Sequence, residues 1–175
     1  MQPYPFFHLE PVLTEFIRPS SDVETSSWTT TPLWSKLDDN SDADFVRSTD
    51  SAAVCSSTDT YNFEVALADP TGPPSGRLFQ GMRFRYRVRK VQTDTGTVSV
   101  TVRLKELTTT RVTSSVGSIG TSWTTYTKTL TASEIETIGN HNDLRMQVEV
   151  VVCNDLDFNT IRGECAWLEV EYYAL

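Results

Sequence analysis

The chain has 175 residues, of which 38% are hydrophobic, 10% aromatic and 22% charged. That is the size and mix of one globular domain with at most an appended segment, and it excludes two full domains or disorder over the whole length. Fifteen Lys and Arg against 23 Asp and Glu leave a net charge of −8, which argues against general binding to nucleic acid or an anionic membrane and directs attention to protein or small-molecule partners.

No run of ~18 apolar residues suggests a membrane-spanning helix. The start, Met1 to Glu10, lacks the cationic opening and small-residue cleavage pattern of a secretory signal, so the chain is expected to be soluble and unprocessed. Residues 1–21 differ in composition from the rest: Pro3, Pro5, Pro11 and Pro19 punctuate Tyr4, Phe6, Phe7, Leu9, Val12, Leu13, Phe16 and Ile17. Proline denies this stretch a long helix or a central strand. The reading is an extended arm over 1–21 followed by a folded domain over 22–175. Burying half of those apolar side chains is worth roughly 6–12 kcal/mol gross, about what ordering the backbone costs. The arm is therefore expected to order only against a partner, with Phe6, Phe7 and Phe16 as anchors and Tyr4, Leu9, Leu13 and Ile17 beside them.

From Ser20 to Ser51 the residues are rich in Ser, Thr and Asp, with Trp28 and Trp34 among them. Leu33 to Leu37 is too short for a strong helix and reads as a turn or strand edge. Trp28 and Trp34, in irregular backbone, are the aromatic candidates for a partner or sugar surface, whereas Trp123 and Trp167 fall in strand-like runs and read as packed. Asp38, Asn40, Asp42 and Asp44 begin like a calcium loop. Ala43 then stands where that loop needs glycine and Thr49 where it needs glutamate, so a solvated acidic turn is expected and no metal is assigned. Phe45 to Ser48 reads as a brief strand.

Period-two alternation begins at Tyr61. Phe63, Val65 and Leu67 alternate, and Pro70 to Gly76 make a wide turn. Met82, Phe84, Tyr86 and Val88 then alternate with Arg83, Arg85, Arg87 and Arg89, giving a strand with one buried and one wet face. Residues 77–111 hold nine basic residues against two acids, a block of +7 inside an acidic chain. The arginine column is expected to pair with carboxylates of neighbouring strands, chiefly Glu149, Glu169 or Glu171, rather than to serve as an anion-binding face.

Asp94-Thr-Gly96 signals a compact hairpin into the run Val98, Val100, Val102, Leu104. Thr109 to Ile119 follows, closed by Gly117 and Gly120. Trp123 to Leu130 alternates, and Ser133 to Ile138 suggests one helical turn capped by Ser133. The last strands contain Val148, Val150 and Val152, then Leu168, Val170 and Tyr172. Seven or eight strands with frequent turns and no long amphipathic helix predict an all-β fold, an antiparallel β-sandwich of jelly-roll type.

Chemistry-bearing constellations are sparse. Only His8 and His141 are available as imidazoles; one lies in the arm and one in a polar turn, and neither stands on a rigid element. There is no HExxH, no Walker loop and no GxGxxG, and the three cysteines lack metal-ligand spacing. Cys153 and Cys165 flank a polar loop and are expected to face each other across a hairpin as buried thiols. No catalytic residue, no cofactor and no enzymatic activity are expected.

Two stretches carry a resemblance. One is Arg18-Pro-Ser-Ser-Asp-Val-Glu-Thr-Ser-Ser-Trp28 with Leu33-Trp34, the acidic run and Phe45-Val-Arg-Ser48. The other is Trp123, Tyr126, Leu130-Thr-Ala-Ser-Glu-Ile135, Ile138 and Asp143-Leu144-Arg-Met-Gln-Val148, ending in Ala166-Trp-Leu-Glu-Val-Glu171. Together, from Arg18 onward, they resemble the jelly-roll β-sandwich structural proteins of tailed-bacteriophage virions. The resemblance implies a capsid decoration or cement protein: a major capsid protein as partner, a dimer or trimer on the shell, no nucleic acid or membrane partner, and residence in the virion after assembly in the host cytoplasm. The competing implication is a carbohydrate-binding sandwich of a tail fibre or another tail or neck component.

Overall fold

The computed structural model describes residues 14–49, 58–72, 81–92, 96–154 and 161–173. The strands are β1 (Thr14–Ile17), β2 (Pro19–Glu24), β3 (Trp28–Thr29), β4 (Val46–Ser48), β5 (Asp59–Leu67) and β6 (Gly81–Gln92). They continue with β7 (Gly96–Glu106), β8 (Thr109–Val116), β9 (Thr124–Thr129), β10 (Leu144–Asn154) and β11 (Ile161–Tyr173). One short helix, α1 (Ala132–Glu136), and two 3-10 turns, Trp34–Lys36 and His141–Asp143, complete the described elements.

The strands form two antiparallel sheets. The first runs β3-β4-β11-β6-β9, with β1 also paired to β11; the second runs β2-β5-β10-β7-β8. The chain changes sheet at each step from β4 to β7 and again at each step from β8 to β11. With β4-β11-β6-β9 against β5-β10-β7-β8, this is jelly-roll strand order, and the all-β antiparallel sandwich predicted by the alternation is the observed fold.

Alternation explains the core. Met82, Phe84, Tyr86 and Val88 of β6, Val98 to Leu104 at every second position of β7, Met146 to Val152 of β10, and Leu168, Val170 and Tyr172 of β11 are all 3% exposed or less. Tyr86 stacks between Phe84 and Tyr126 at centroid distances of 6.3 and 5.5 Å. Its phenol reaches across to Ser114 Oγ of β8 at 3.0 Å, so the buried hydroxyl is paired. The sheets approach closely at Gly163, where a Cβ would lie 2.9 Å from Val150 Cγ1.

Several expectations are corrected. Residues 14–21 belong to the sandwich: β1 pairs with β11 from Thr14↔Tyr173 to Ile17↔Val170, and β2 pairs with β5. Pro19 is compatible with this because it opens an edge strand, where its missing N–H costs no ladder bond. The signal at 94–96 does not mark a hairpin, for β6 and β7 lie in opposite sheets. Both edges of β6 are taken, by β11 and β9, so β7 has no place beside it. The same reasoning separates β10 from β11, and Cys153 does not face Cys165. Cys153 is disulfide-bonded, while Cys165 is a free thiol fully buried in the core. The helical turn is capped by Thr131 rather than Ser133: Thr131 Oγ1 accepts from Glu134 N at 3.2 Å, and Thr131 N donates to Glu134 Oε2 at 2.7 Å, a reciprocal capping box.

Candidate functional site

The outer face of the first sheet is a ladder of charge. The arginines of β6 point away from the core because their neighbours Met82, Phe84, Tyr86 and Val88 point into it. Across from them on β11 stand Glu171 opposite Arg83, Glu169 opposite Arg85, Trp167 opposite Arg87 and Glu164 opposite Arg89. Strict alternation would not put Glu164 and Trp167 on one face. A β-bulge between Cys165 and Trp167 inserts Ala166 without a partner and shifts the parity by one residue.

The pairing expected for this column is present. Arg83 grips Glu171 in two parallel bonds of 2.7 and 2.8 Å. Arg85 bridges Glu169 and, at 3.3 Å, Glu171. Arg89 donates to Glu164 at 2.8 Å. Arg18 also reaches Glu169 at 3.4 Å, and Arg162 reaches Glu164 at 3.4 Å. Glu149 instead pairs with Arg103 on the other sheet, at 3.1 Å. The side chains of Glu164 and Glu169 are 1% exposed and that of Glu171 is 7% exposed, so guanidiniums roof them from solvent. Aromatic rings fill the gaps: Arg89 lies 4.4 Å over Trp123 and 5.6 Å over Phe45, Arg47 lies 4.9 Å over Phe45, and Arg83 lies 5.6 Å over Tyr173.

Arg87 is the exception, because it has tryptophan rather than a carboxylate across the ladder. It takes its counter-charge from the loop before β4: Arg87 Nη2 donates to Asp42 Oδ2 at 2.8 Å and Nη1 to Thr125 Oγ1 at 3.1 Å. The Arg87 hydrogen bond holds the Asp42 carboxyl below its ordinary value, against a smaller opposing effect of burial. Around this pair opens a cleft of about 420 Å³ lined by Asn40, Asp42, Arg85, Arg87, Thr125 and Trp167. Arg85 Nε and Glu169 Oε1, neighbours in the Arg85–Glu169 ion pair, are both buried without a hydrogen-bond partner. Sequence reasoning missed this grouping. The readable signal was an arginine column with four members and carboxylates of matching spacing for only some of them.

The residues singled out from sequence scatter. Trp28 is a core residue, 4% exposed, its ring edge-on to Phe63 at 4.6 Å, and so offers no surface. Trp34 is half-buried against the same core, because Asp22 accepts from Leu33 N and Trp34 N at 2.9 and 2.8 Å and folds that turn inward. Ile17, 4% exposed, is covered by its own domain. Phe16 is 47% exposed, with the Arg85 guanidinium 5.5 Å over its ring. Tyr4, Phe6, Phe7, Leu9 and Leu13 lie outside the described residues. The acidic turn forms ion pairs, Asp42 with Arg87 and Asp44 with Lys36, and no three His, Cys, Asp or Glu converge in a metal-binding group among the described residues.

His141 is not the solvated loop histidine its polar turn suggested. It opens a 3-10 turn, is half-buried, and places Nδ1 2.7 Å from Tyr172 Oη. Burial pulls the imidazole pKa down, with Glu106 opposing, and burial pushes the Tyr172 phenol up. Glu106 is held below its ordinary value, first by the backbone N–H of Gly139 and further by Arg111 and Asn140 N. These contacts tie the 139–143 turn to the end of β7.

No protein-family model matches the chain, and neither a curated protein nor a solved structure matches it.

Proposed function

We propose that this chain is a non-enzymatic structural protein of a virion, of the decoration type that binds the outer shell and ties neighbouring capsid subunits together. The observation that carries the reading is the junction at β1. A jelly roll whose outer face is closed by ion pairs begins its first described strand at Thr14, next to an exposed Phe16 and directly after a segment dense in Tyr, Phe and Leu. Jelly rolls serve as shell and lectin modules alike, so fold alone does not choose. The apolar segment favours a protein surface as the partner.

The partner under this reading is the major capsid protein, with Tyr4, Phe6, Phe7, Leu9, Leu13 and Phe16 as the contact set. The test is cosedimentation of the purified full chain, and of a variant lacking residues 1–13, with shells that lack this protein. The full chain is expected to saturate at a fixed ratio to capsid subunits and the truncated chain to stay in the supernatant. A few copies per particle, or no association, overturns the decoration reading.

A further inference from the structure

We infer that the end of the outer face around Arg47 and Arg89 is a docking site for an acidic stretch of a protein partner, whose carboxylates these two guanidiniums receive. The inference goes beyond the shell-binding reading, which rests on the segment ending at Phe16, and does not depend on it.

Three observations support it. The first is charge. Arg47 of β4, Glu164 of β11 and Arg89 of β6 stand in one row across the sheet, so a single carboxylate, 1% exposed, lies between two guanidiniums. Arg162 draws on the same carboxylate at 3.4 Å. Adding the nearby Asp42 together with its partner Arg87 still leaves Arg47, Arg87 and Arg89 facing two acids. The second is hydrogen bonding. Arg89 donates to Glu164 through Nε at 2.8 Å, while Arg47 Nε stands 4.0 Å from Glu164 Oε1, beyond hydrogen-bond range. Among the described residues no acceptor meets the Arg47 guanidinium or the Nη atoms of Arg89. The two side chains are 40% and 30% exposed, so their uncommitted donors are open to a carboxylate arriving from outside. The third is the aromatic bed beneath them. Arg47 and Arg89 lie 4.9 and 5.6 Å over the same Phe45 ring, Arg89 lies 4.4 Å over Trp123, and the two rings meet at 5.8 Å. Stacking holds both guanidiniums in place before a partner arrives, which lowers the ordering cost of binding. Phe45 and Trp123 are only half-buried, and arginine beside accessible aromatic rings is the composition of interface hot spots.

The surroundings choose the class of partner. Immediately before Phe45 runs Asp38-Asp-Asn-Ser-Asp-Ala-Asp44, in a chain of net charge −8. Duplex nucleic acid carries one charge per ~1.7 Å and would extend past the arginines onto these acids. A short acidic segment brings its carboxylates to the arginines alone. In an extended segment alternate side chains lie ~7 Å apart on one face, within reach of guanidiniums rooted on strands ~10 Å apart.

The experiment is a fluorescence-anisotropy titration of the full chain against short labelled peptides in which Glu alternates with Leu, Tyr or Ser. The same peptides with Gln in place of Glu, and a single-stranded DNA oligonucleotide of equal charge, complete the panel. Arg47→Gln removes a guanidinium that makes no hydrogen bond within the described residues, so this variant is expected to melt like the parent chain. Arg103→Gln, on the second sheet, is the control for a general loss of charge. The expected result is binding of at least one Glu peptide, weakened by added salt. Exchange of its Glu for Gln, and Arg47→Gln, should each lower the affinity about 10-fold, the worth of one charge-assisted hydrogen bond, while Arg103→Gln leaves it unchanged. Failure of every Glu peptide to bind better than its Gln counterpart overturns the inference. So does binding that Arg47→Gln leaves intact or that Arg103→Gln weakens equally, or tighter binding of the oligonucleotide than of any peptide. The titration uses no shells, so this inference and the shell-binding reading fail separately.

Discussion

Replacing Arg85 with methionine tests whether the outer ladder holds the sandwich together or merely decorates it. Glu169 is 1% exposed and faces Arg85 across β6 and β11. Removing one partner of a buried pair leaves an uncompensated charge and typically costs ~3–5 kcal/mol. Arg18 still reaches Glu169 at 3.4 Å, which places the expectation at the low end, about 3 kcal/mol. For a domain of this size that is a fall in Tm of about 6–12 °C and a large share of a total stability of ~5–15 kcal/mol. Two further variants locate the cause. Arg103→Met breaks the Arg103–Glu149 pair, whose side chains are 26% and 28% exposed, and should cost only ~0–1 kcal/mol. Arg85→Met with Glu169→Leu removes both charges, and Glu171 keeps its two bonds to Arg83, so the double variant should recover most of the single variant's loss. Urea denaturation with fitted m-values gives all three numbers. If Arg85→Met costs no more than Arg103→Met, or the double variant is no better than the single, then burial of these carboxylates is not what makes the arginines matter.

Gly163→Ala should destabilise by about 1–3 kcal/mol by overpacking, because its Cβ would lie 2.9 Å from Val150 Cγ1; adding Val150→Ala should relieve part of that loss in the same urea titration. Leu107 sits at φ +51° in the two-residue turn between β7 and β8 and is 46% exposed, so Leu107→Asn should stabilise by about 1 kcal/mol, read as a higher urea midpoint. The His141 pKa is lowered in the fold, so the unfolded chain binds the proton more readily: stability from this group is full above the ordinary value of 6.5 and is lost as pH falls below it. Urea midpoints of wild type and His141→Gln across that interval should diverge in slope, whereas Asp42, Glu106 and Glu134, also lowered, act only below the ordinary carboxylate range. Deleting residues 1–17 removes β1 and the buried Ile17 and should lower Tm by several degrees, whereas deleting 1–13 spares both; equal melting of the two truncations would refute the placement of β1.

The elements that were legible in the sequence were those in which local chemistry decides. Met82 to Arg89 alternates without a break, and the residue types alone give the strand, its buried face and the outward arginines. Glu169 and Glu171 were identifiable as partners because opposite charge on a neighbouring strand is a local pairing rule. What was not legible depends on which strands meet. Asp94-Thr-Gly96 reports a chain reversal, but whether β7 then lies beside β6 or in the opposite sheet is decided by competition for the edges of β6. Trp28 looked like a surface residue because its neighbours are polar, yet a two-residue strand beside β4 is enough to turn it onto Phe63. His141 and Tyr172 are 31 residues apart and meet only because β11 ends beside the 139–143 turn.

Ala166 links the structural and the functional readings of the outer face. Glu164 and Trp167 differ in parity, and only an unpaired residue between them puts both on the arginine side. Were Trp167 turned inward, its ring would no longer stand opposite Arg87 on the outer face. With the bulge in place, Glu164, Glu169 and Glu171 all lie on the arginine side, where guanidiniums roof the three carboxylates from solvent. A cleft appears at the single β11 position where the ladder from Arg83 to Arg89 has no carboxylate. The same local irregularity therefore preserves the ion pairs that close most of this face and sets the interruption in the ladder at Trp167, in keeping with the tendency of bulges to re-aim side chains.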